Sequence, residues 1–340
     1  MNFLLYFLVS LISIFYFIKL CKNKNILLSH SGEKHQEYVS KNSVPLIGGI
    51  YLFFLFLFFF FKFEKYLELV VFSCIFLLGI FTDFKILKSP KKRLVIQGLF
   101  LILLVSVSKL QIIDTRIDFF NLLLENKIIN FSFVIFCLLI LMNGSNFIDG
   151  LNGLVIGYFL MILAILIKIN FFGFYFMNQY DTLFFILTLF LIFLLNIFNK
   201  LYLGDNGVYV LSIFFGLMII DYHNNFPTVS PYFFILILWY PCFENLFSII
   251  RKFKLKRSPI NPDTNHFHQL LFYFLKKKNS FTDLANNNLS SFTILIFNLI
   301  IFMFALIDIY STKLQITAIS FSVIIYVIMY IYLFKFKYEK

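Results

Sequence analysis

The sequence predicts an all-α integral membrane protein, a polytopic bundle of about 10–11 transmembrane helices formed as one domain over residues 1–340. Three observations predict it. The chain is 61% hydrophobic and only 14% charged, too little polar surface to cover a soluble core of this size. Apolar runs recur along its whole length, each close to the roughly 17 to 25 residues that cross the hydrocarbon as a helix. The basic residues between those runs alternate in density from one connection to the next, as cytoplasmic and outer loops do.

The spans fall near 3–19, 46–61, 67–82, 94–109, 128–142, 153–169, 183–198, 207–221, 231–250, 291–310 and 315–334. A helix satisfies its own backbone hydrogen bonds in lipid, and no segment shows the period-2 alternation of a barrel strand. The first span begins at Met1-Asn2 with no basic residue before it, while Lys19, Lys22 and Lys24 follow. That asymmetry places the N-terminus outside as an uncleaved anchor, and an odd number of spans leaves the C-terminus in the cytoplasm. Under this topology 22 of the 29 Lys and Arg lie inside and 7 outside, the direction that the positive-inside rule requires.

The net charge of +12 therefore reads first as membrane orientation and attraction to anionic lipid headgroups. Nucleic acid is not an expected partner, because no soluble domain carries a basic patch. Cys21, Cys74, Cys137 and Cys242 are isolated in sequence, with neither metal nor redox spacing, and are expected as packing thiols without a disulfide. The 52 phenylalanines reflect a compositional bias rather than a binding box, and no repeat of fixed period divides the chain.

Once the spans are drawn, polar residues, Gly and Pro collect in connections on one side, in segments 21–49, 82–97, 143–153, 199–207 and 251–290. Polar groups at the edge of lipid are costly, so convergence of five such clusters on one face argues for a site. In Asn143-Gly144-Ser145-Asn146-Phe147-Ile148-Asp149-Gly150-Leu151-Asn152-Gly153 polar side chains recur every third position, which on a helix gives a polar stripe. The plainer alternative is a capped helix end with Asp149 or Asn152 as the cap.

Gly204-Asp205-Asn206-Gly207 is either a simple turn or a carboxylate that glycines allow a hard cation to approach. Ser89-Pro90-Lys91-Lys92-Arg93 sets cations at the surface, either for orientation alone or for a phosphorylated substrate, and Asp83 just precedes it. His266 and His268 are spaced to put both rings on the same side of an extended segment. Zinc lacks a third soft ligand there, and phosphate contact or solvated histidines are the other readings. His30, His35 and His223 read as surface residues.

In order and sidedness these clusters resemble the polyprenyl-phosphate N-acetylhexosamine-1-phosphate transferase family, glycosyltransferase family 4, over roughly residues 45–270. Pro45, Gly48 and Gly49 fit its Pro-x-x-Gly-Gly, and Asp83 fits the second acid of its paired aspartates. Ser89, Pro90, Arg93 and Gln97 continue that segment. Asn143, Asn146, Asp149 and Gly150 fit its Asn-x-x-Asn-x-x-Asp-Gly, Asp205 its Gly-Asp metal motif, and His266 and His268 its histidine-rich loop.

The resemblance implies transfer of a sugar 1-phosphate from a UDP-N-acetylhexosamine to polyprenyl (undecaprenyl) phosphate, at the cytoplasmic face of the inner membrane, with release of UMP. It implies Mg2+ held by Asp205 and catalytic roles for Asp83, Asp149, His266 and His268. Lys91, Arg93, Asn143, Asn146 and Asn152 would then bind substrate, and a homodimer is compatible with it. Thr82 stands where the first of two aspartates is usual, Asn152 where a second Asp often follows, and Gln269 where a further His is common. These departures point toward the hexosamine branch, which primes surface polysaccharides, rather than the branch that makes the peptidoglycan precursor. A non-catalytic relative that binds lipid phosphate is the alternative, and a transporter is a weaker one because the polar groups sit at one face.

Overall fold

The computed structural model describes residues 2–28, 44–169, 179–254, 256 and 264–338. His30, His35 and the stretch 259–263 lie outside the described residues. In chain order the helices begin with α1 (Asn2–Lys24), α2 (Gly48–Lys62), α3 (Tyr66–Asp83), α4 (Pro90–Ser108), the short α5 (Asp118–Leu124) and α6 (Lys127–Ile148). There follow α7 (Leu154–Lys168), α8 (Gln179–Ile197), α9 (Gly204–Asn225), α10 (Pro231–Ile237) and α11 (Trp239–Lys254). The last three are α12 (Phe267–Lys278), α13 (Asp283–Ala305) and α14 (Thr312–Tyr338). Among the described residues there is no sheet, and an isolated bridge pairs Leu28 with Pro45.

Each of the eleven expected spans coincides with a helix or, at 231–250, with the pair α10 and α11. Six helices, α3, α6, α8, α9, α13 and α14, are by themselves long and apolar enough to cross a membrane, and the bent pair would make a seventh. The shorter α2 and α7 are apolar over 15 residues each, below the ~20 that a perpendicular crossing takes. The expected motif loops are largely helix termini instead. Residues 143–148 complete α6, 204–207 open α9, and 267–278 form a helix of their own.

The core lies around α9, most of whose length is buried, with α2, α3 and α6 packed against it. Phe56, Phe185 and Phe214 meet there, with ring centroids 4.6 to 5.8 Å apart. Phenylalanine thus fills the bundle as well as coating it, since Phe54 and Phe61 face outward where only lipid covers them favourably. Enclosure of α9 extends to its C-terminal turn and overturns the surface reading of His223. That residue is buried, and its Nε2 donates to the Asp114 carbonyl at 2.8 Å.

The 73° bend between α10 and α11 has a local cause. Pro241 has no N–H to give the carbonyl four residues back, at Ile237, and its ring crowds that position. The Tyr158 hydroxyl donates to the freed Ile237 oxygen at 2.9 Å, which satisfies it inside the bundle. Beyond the bend α11 ends in Arg251, Lys252 and Lys254 and carries the buried acid Glu244 toward the same end of the bundle as the motif residues.

Candidate active site

The site is assembled at the start of α9. Gly48 and Gly49 donate their backbone N–H groups to the carbonyls of Tyr202 and Leu203 at 3.0 and 2.9 Å, and Tyr202 N–H returns a bond to Pro45 at 2.9 Å. The Pro-x-x-Gly-Gly motif is thus a seam that fixes the segment leading into α9. A Cβ at Gly49 would lie 2.3 Å from the backbone nitrogen of Gly207, so only glycine lets α2 approach this closely.

Asp83, at the end of α3, turns its carboxylate onto the first turn of α9. Oδ1 accepts from Asp205 N–H at 2.9 Å, and Oδ2 accepts from Asn206 N–H at 3.2 Å and from the Asn206 side-chain amide. A helix start offers four unpaired N–H groups and a partial positive charge, and this acid answers both from a distance. Thr82, where a neighbouring acid is usual, donates its hydroxyl back to Leu78 in its own helix at 3.0 Å.

Asp205 is half-buried and meets the Arg93 guanidinium and the Tyr209 hydroxyl, both at 3.4 Å from Oδ2. Arg93 reaches it from the first turns of α4, which Ser89 caps and Pro90 opens. Lys91 stands exposed on the same turn. Further along α4 the buried Gln97 accepts from the Asn143 amide of α6 at 3.1 Å, which ties two of the predicted clusters together.

Asn143 and Asn146 lie on α6 as the polar stripe predicts, both half-buried, and Asp149 is the residue at its C-cap. Asp149 is exposed to solvent yet ringed by protein. That surrounding, and then the charges of Asp205 and Asp83, raise its carboxyl above the ordinary range. Asn152 is buried in the following turn, where its N–H donates to Asn287 of α13 at 2.8 Å.

Gly150 brings in the histidines, because a Cβ there would lie 2.3 Å from Nε2 of His268. His266 ends an extended approach and His268 already belongs to α12, so the pair shares a side through a helix start rather than an extended segment. Their rings stack 5.9 Å apart at 17°. His268 is buried, and among the described residues neither of its ring nitrogens has a hydrogen-bond partner, an arrangement that suits a polar ligand entering beside Gly150.

Burial, then the neighbouring His266, pushes the His268 imidazole down to about 3, with Glu244 opposing. That shift favours the neutral ring between pH 5 and 8, a donor at one nitrogen and an acceptor at the other. His268→Gln is expected to slow any turnover at this site while leaving the shape of its pH–rate profile between pH 5 and 8 unchanged. A lost or displaced limb in that profile would show that His268 titrates during turnover.

Glu244 belongs to none of the five sequence clusters, yet it is buried and accepts at Oε1 from His266 Nδ1 at 2.9 Å and from Phe267 N–H at 3.3 Å. An acid inside the apolar run 231–250 was the available signal, since intramembrane acids are costly and are kept where they are paired. Asn206 stands in the Gly204-Asp205-Asn206-Gly207 cluster without a role assigned from sequence, and its amide completes the Asp83 contacts.

Residues 66–223 match the model of Glycosyl transferase family 4. That stretch is similar to the family. No curated protein matches the chain. The matched stretch runs from the first turn of α3 into the last turn of α9 and includes Asp83, Arg93, Asn143, Asp149 and Asp205. Family members are polyprenyl-phosphate sugar-1-phosphate transferases, so the match points to transfer of a sugar 1-phosphate to polyprenyl phosphate by this multi-pass membrane protein. The histidine turn and α14 lie beyond the matched residues.

Whether the site suits magnesium, which family members typically use, is decided by its donors. Among the described residues no three His, Cys, Asp or Glu side chains converge to cage an ion. Magnesium does not need such a cage, because it is commonly held by one or two carboxylates together with substrate phosphates and water. Asp205 and Asp149 are hard oxygen donors near enough for their charges to interact, which fits that mode, whereas Asp83 already gives both oxygens to α9.

Proposed function

We propose that this transferase moves an N-acetylhexosamine 1-phosphate from its UDP-sugar to undecaprenyl phosphate, releasing UMP and starting a cell-envelope polysaccharide. The observation that carries this reading is the convergence of Asp205, Asp149 and Arg93 with the partnerless imidazole of His268 at one end of the bundle. The charge asymmetry of the connections supports an active site facing the cytoplasm, where UDP-sugars are available. Asn152 and the lone Asp83 after Thr82 favour the hexosamine branch over the peptidoglycan one.

In the reaction an oxygen of the lipid phosphate attacks the β-phosphorus of the UDP-sugar. A new P–O bond forms as the bond to the bridging oxygen breaks, and UMP leaves with that oxygen and its electron pair. A phosphomonoester with a second pKa near 6 is already mostly dianionic at neutral pH, so its attack needs no general base. This accounts for the tolerance of Thr82 where an acid is usual.

Arg93 and Lys91 offset the charge that grows on the departing UMP. Asp205 and Asp149 would hold magnesium, which when bound neutralises the pyrophosphate and polarises the reacting phosphorus. Asp83 holds the first turn of α9 and with it the position of Asp205. His266 and His268 contact the sugar phosphate or the pyrophosphate, and Asn143, Asn146 and Asn152 line the nucleotide side.

The test is transfer of radiolabelled UDP-GlcNAc to polyprenyl phosphate by the purified protein, with magnesium and with chelator. Lipid-soluble label that depends on magnesium supports the reading. Labelling from another UDP-sugar but not from UDP-GlcNAc changes the sugar, and silence across UDP-sugars sinks the proposed donor.

A further inference from the structure

α14 lies outside the family match and beyond the motif residues, yet its polar atoms converge on the turn that carries the histidines. Tyr326, Tyr330, Phe334 and Tyr338 recur every fourth residue, which sets them on one face. Their rings follow one another along the helix, stacked at 6.2 Å between Tyr326 and Tyr330 and at 6.0 Å from Tyr330 to Phe334, and tilted at 4.7 Å from Phe334 to Tyr338. Such a stripe in an apolar helix would ordinarily serve packing alone.

The hydroxyls are what set this stripe apart. Tyr326 donates to Oε2 of Glu244, the acid whose Oε1 receives His266 Nδ1 and Phe267 N–H. Tyr330 donates to the Asn265 carbonyl at 3.0 Å. At the end of the helix Lys337 donates to the Thr264 carbonyl at 2.9 Å, and Tyr338 donates to Oδ1 of Asn265 at 2.7 Å.

Thus Thr264, Asn265, His266 and Phe267 are each gripped, directly or through Glu244, from α14. Because an ionised carboxylate only accepts, the Glu244 contact also requires His266 to carry its proton on Nδ1. We propose that α14 is a positioning element of the transferase, its Tyr326 and Tyr330 hydroxyls setting the orientation in which His266 and His268 meet the sugar nucleotide. The proposal rests on the reading, made above, that these histidines contact the sugar nucleotide.

The test compares full-length wild type with the double variant Tyr326→Phe and Tyr330→Phe, which keeps the ring packing and removes the two hydroxyls. Hydrogen exchange of residues 264–272 is followed in detergent, and the KM is measured for UDP-GlcNAc and for polyprenyl phosphate. Loss of two buried hydrogen bonds is expected to speed exchange in that segment about tenfold and to raise the UDP-GlcNAc KM about tenfold. The polyprenyl-phosphate KM is expected to stay within about twofold of wild type. A purely architectural stripe would lower the active fraction and leave both KM values where they were, which overturns the proposal.

His266→Ala and His268→Ala separate the two levels of inference. If they leave the UDP-GlcNAc KM unchanged, the histidine reading fails, and the proposal that depends on it is overturned with it. If they raise it and the tyrosine variant does not, the positioning role fails alone. Unchanged exchange at 264–272 overturns the proposal whichever sugar the enzyme uses, and should the double variant fold poorly, Lys337→Met at the helix end is read by the same exchange experiment.

Discussion

Asp205→Asn is expected to lower transfer at least about a hundredfold while the protein still folds and inserts, because a neutral amide is a poor partner for a hard divalent cation. The side chain keeps its shape, and the backbone N–H of residue 205 still donates to Asp83, so the first turn of α9 is retained. What is lost is the negative charge that Arg93 now meets at 3.4 Å and that magnesium would share with the pyrophosphate. A hundredfold corresponds to about 2.7 kcal/mol of barrier, within the several kcal/mol that such charge stabilisation supplies.

The measurement is the initial rate of lipid labelling at several magnesium concentrations, beside thermal unfolding of both proteins in detergent. Full activity in the variant would take the metal role away from Asp205 and leave Asp149 as the candidate. A fall in activity matched by a fall in the unfolding temperature would instead assign Asp205 to the architecture of α9.

The helices were legible because lipid imposes a length and a composition on its spans: each expected apolar run has its helix, although six, or seven with the bent pair, are long and apolar enough to cross a membrane. The motif clusters were legible because polar groups at the edge of lipid are rarely incidental. Asp83 shows where that kind of reading ends. Its type and position marked it as a site acid, yet both oxygens are given to backbone and side-chain donors of α9, a partnership 122 residues away that spacing cannot reveal.

The tyrosines of α14 were hidden for a related reason, since a four-residue aromatic repeat in an apolar helix looks the same whether it faces lipid, a packing partner or a catalytic turn. His223 was misplaced because its neighbour in space, the Asp114 carbonyl, belongs to a loop 109 residues earlier. Glycines posed the same problem in sharper form. The helical Gly79 and Gly98 lie within 19 residues of each other in neighbouring helices, and only the fold shows that one is pressed against a backbone while the other faces open space.

That contrast gives the second large effect. A Cβ at Gly79 would lie 2.2 Å from Cα and 2.5 Å from N of Asn206, both backbone atoms that no rotamer change can move aside. Restoring ordinary contact requires α3 and α9 to part by about 1 Å, and overpacking of this kind costs about 1–3 kcal/mol. The same shift draws Asp83 away from the N–H groups of Asp205 and Asn206, so the carboxylate proposed to hold magnesium moves relative to Arg93 and Asp149. A displacement near 1 Å can cost about a hundredfold in rate even when the substitution lies away from the chemistry. Gly79→Ala is therefore expected to lose about two orders of magnitude in lipid labelling together with a lower unfolding temperature. Gly98→Ala is the matched control, because a Cβ there meets nothing within 4 Å. Alanine in a helix interior is favoured over glycine by up to about 1 kcal/mol, so that variant is expected to be as active as wild type and slightly more stable. Equal behaviour of the two variants would mean that the seam between α3 and α9 yields easily, and that the geometry around Asp205 does not depend on its closeness.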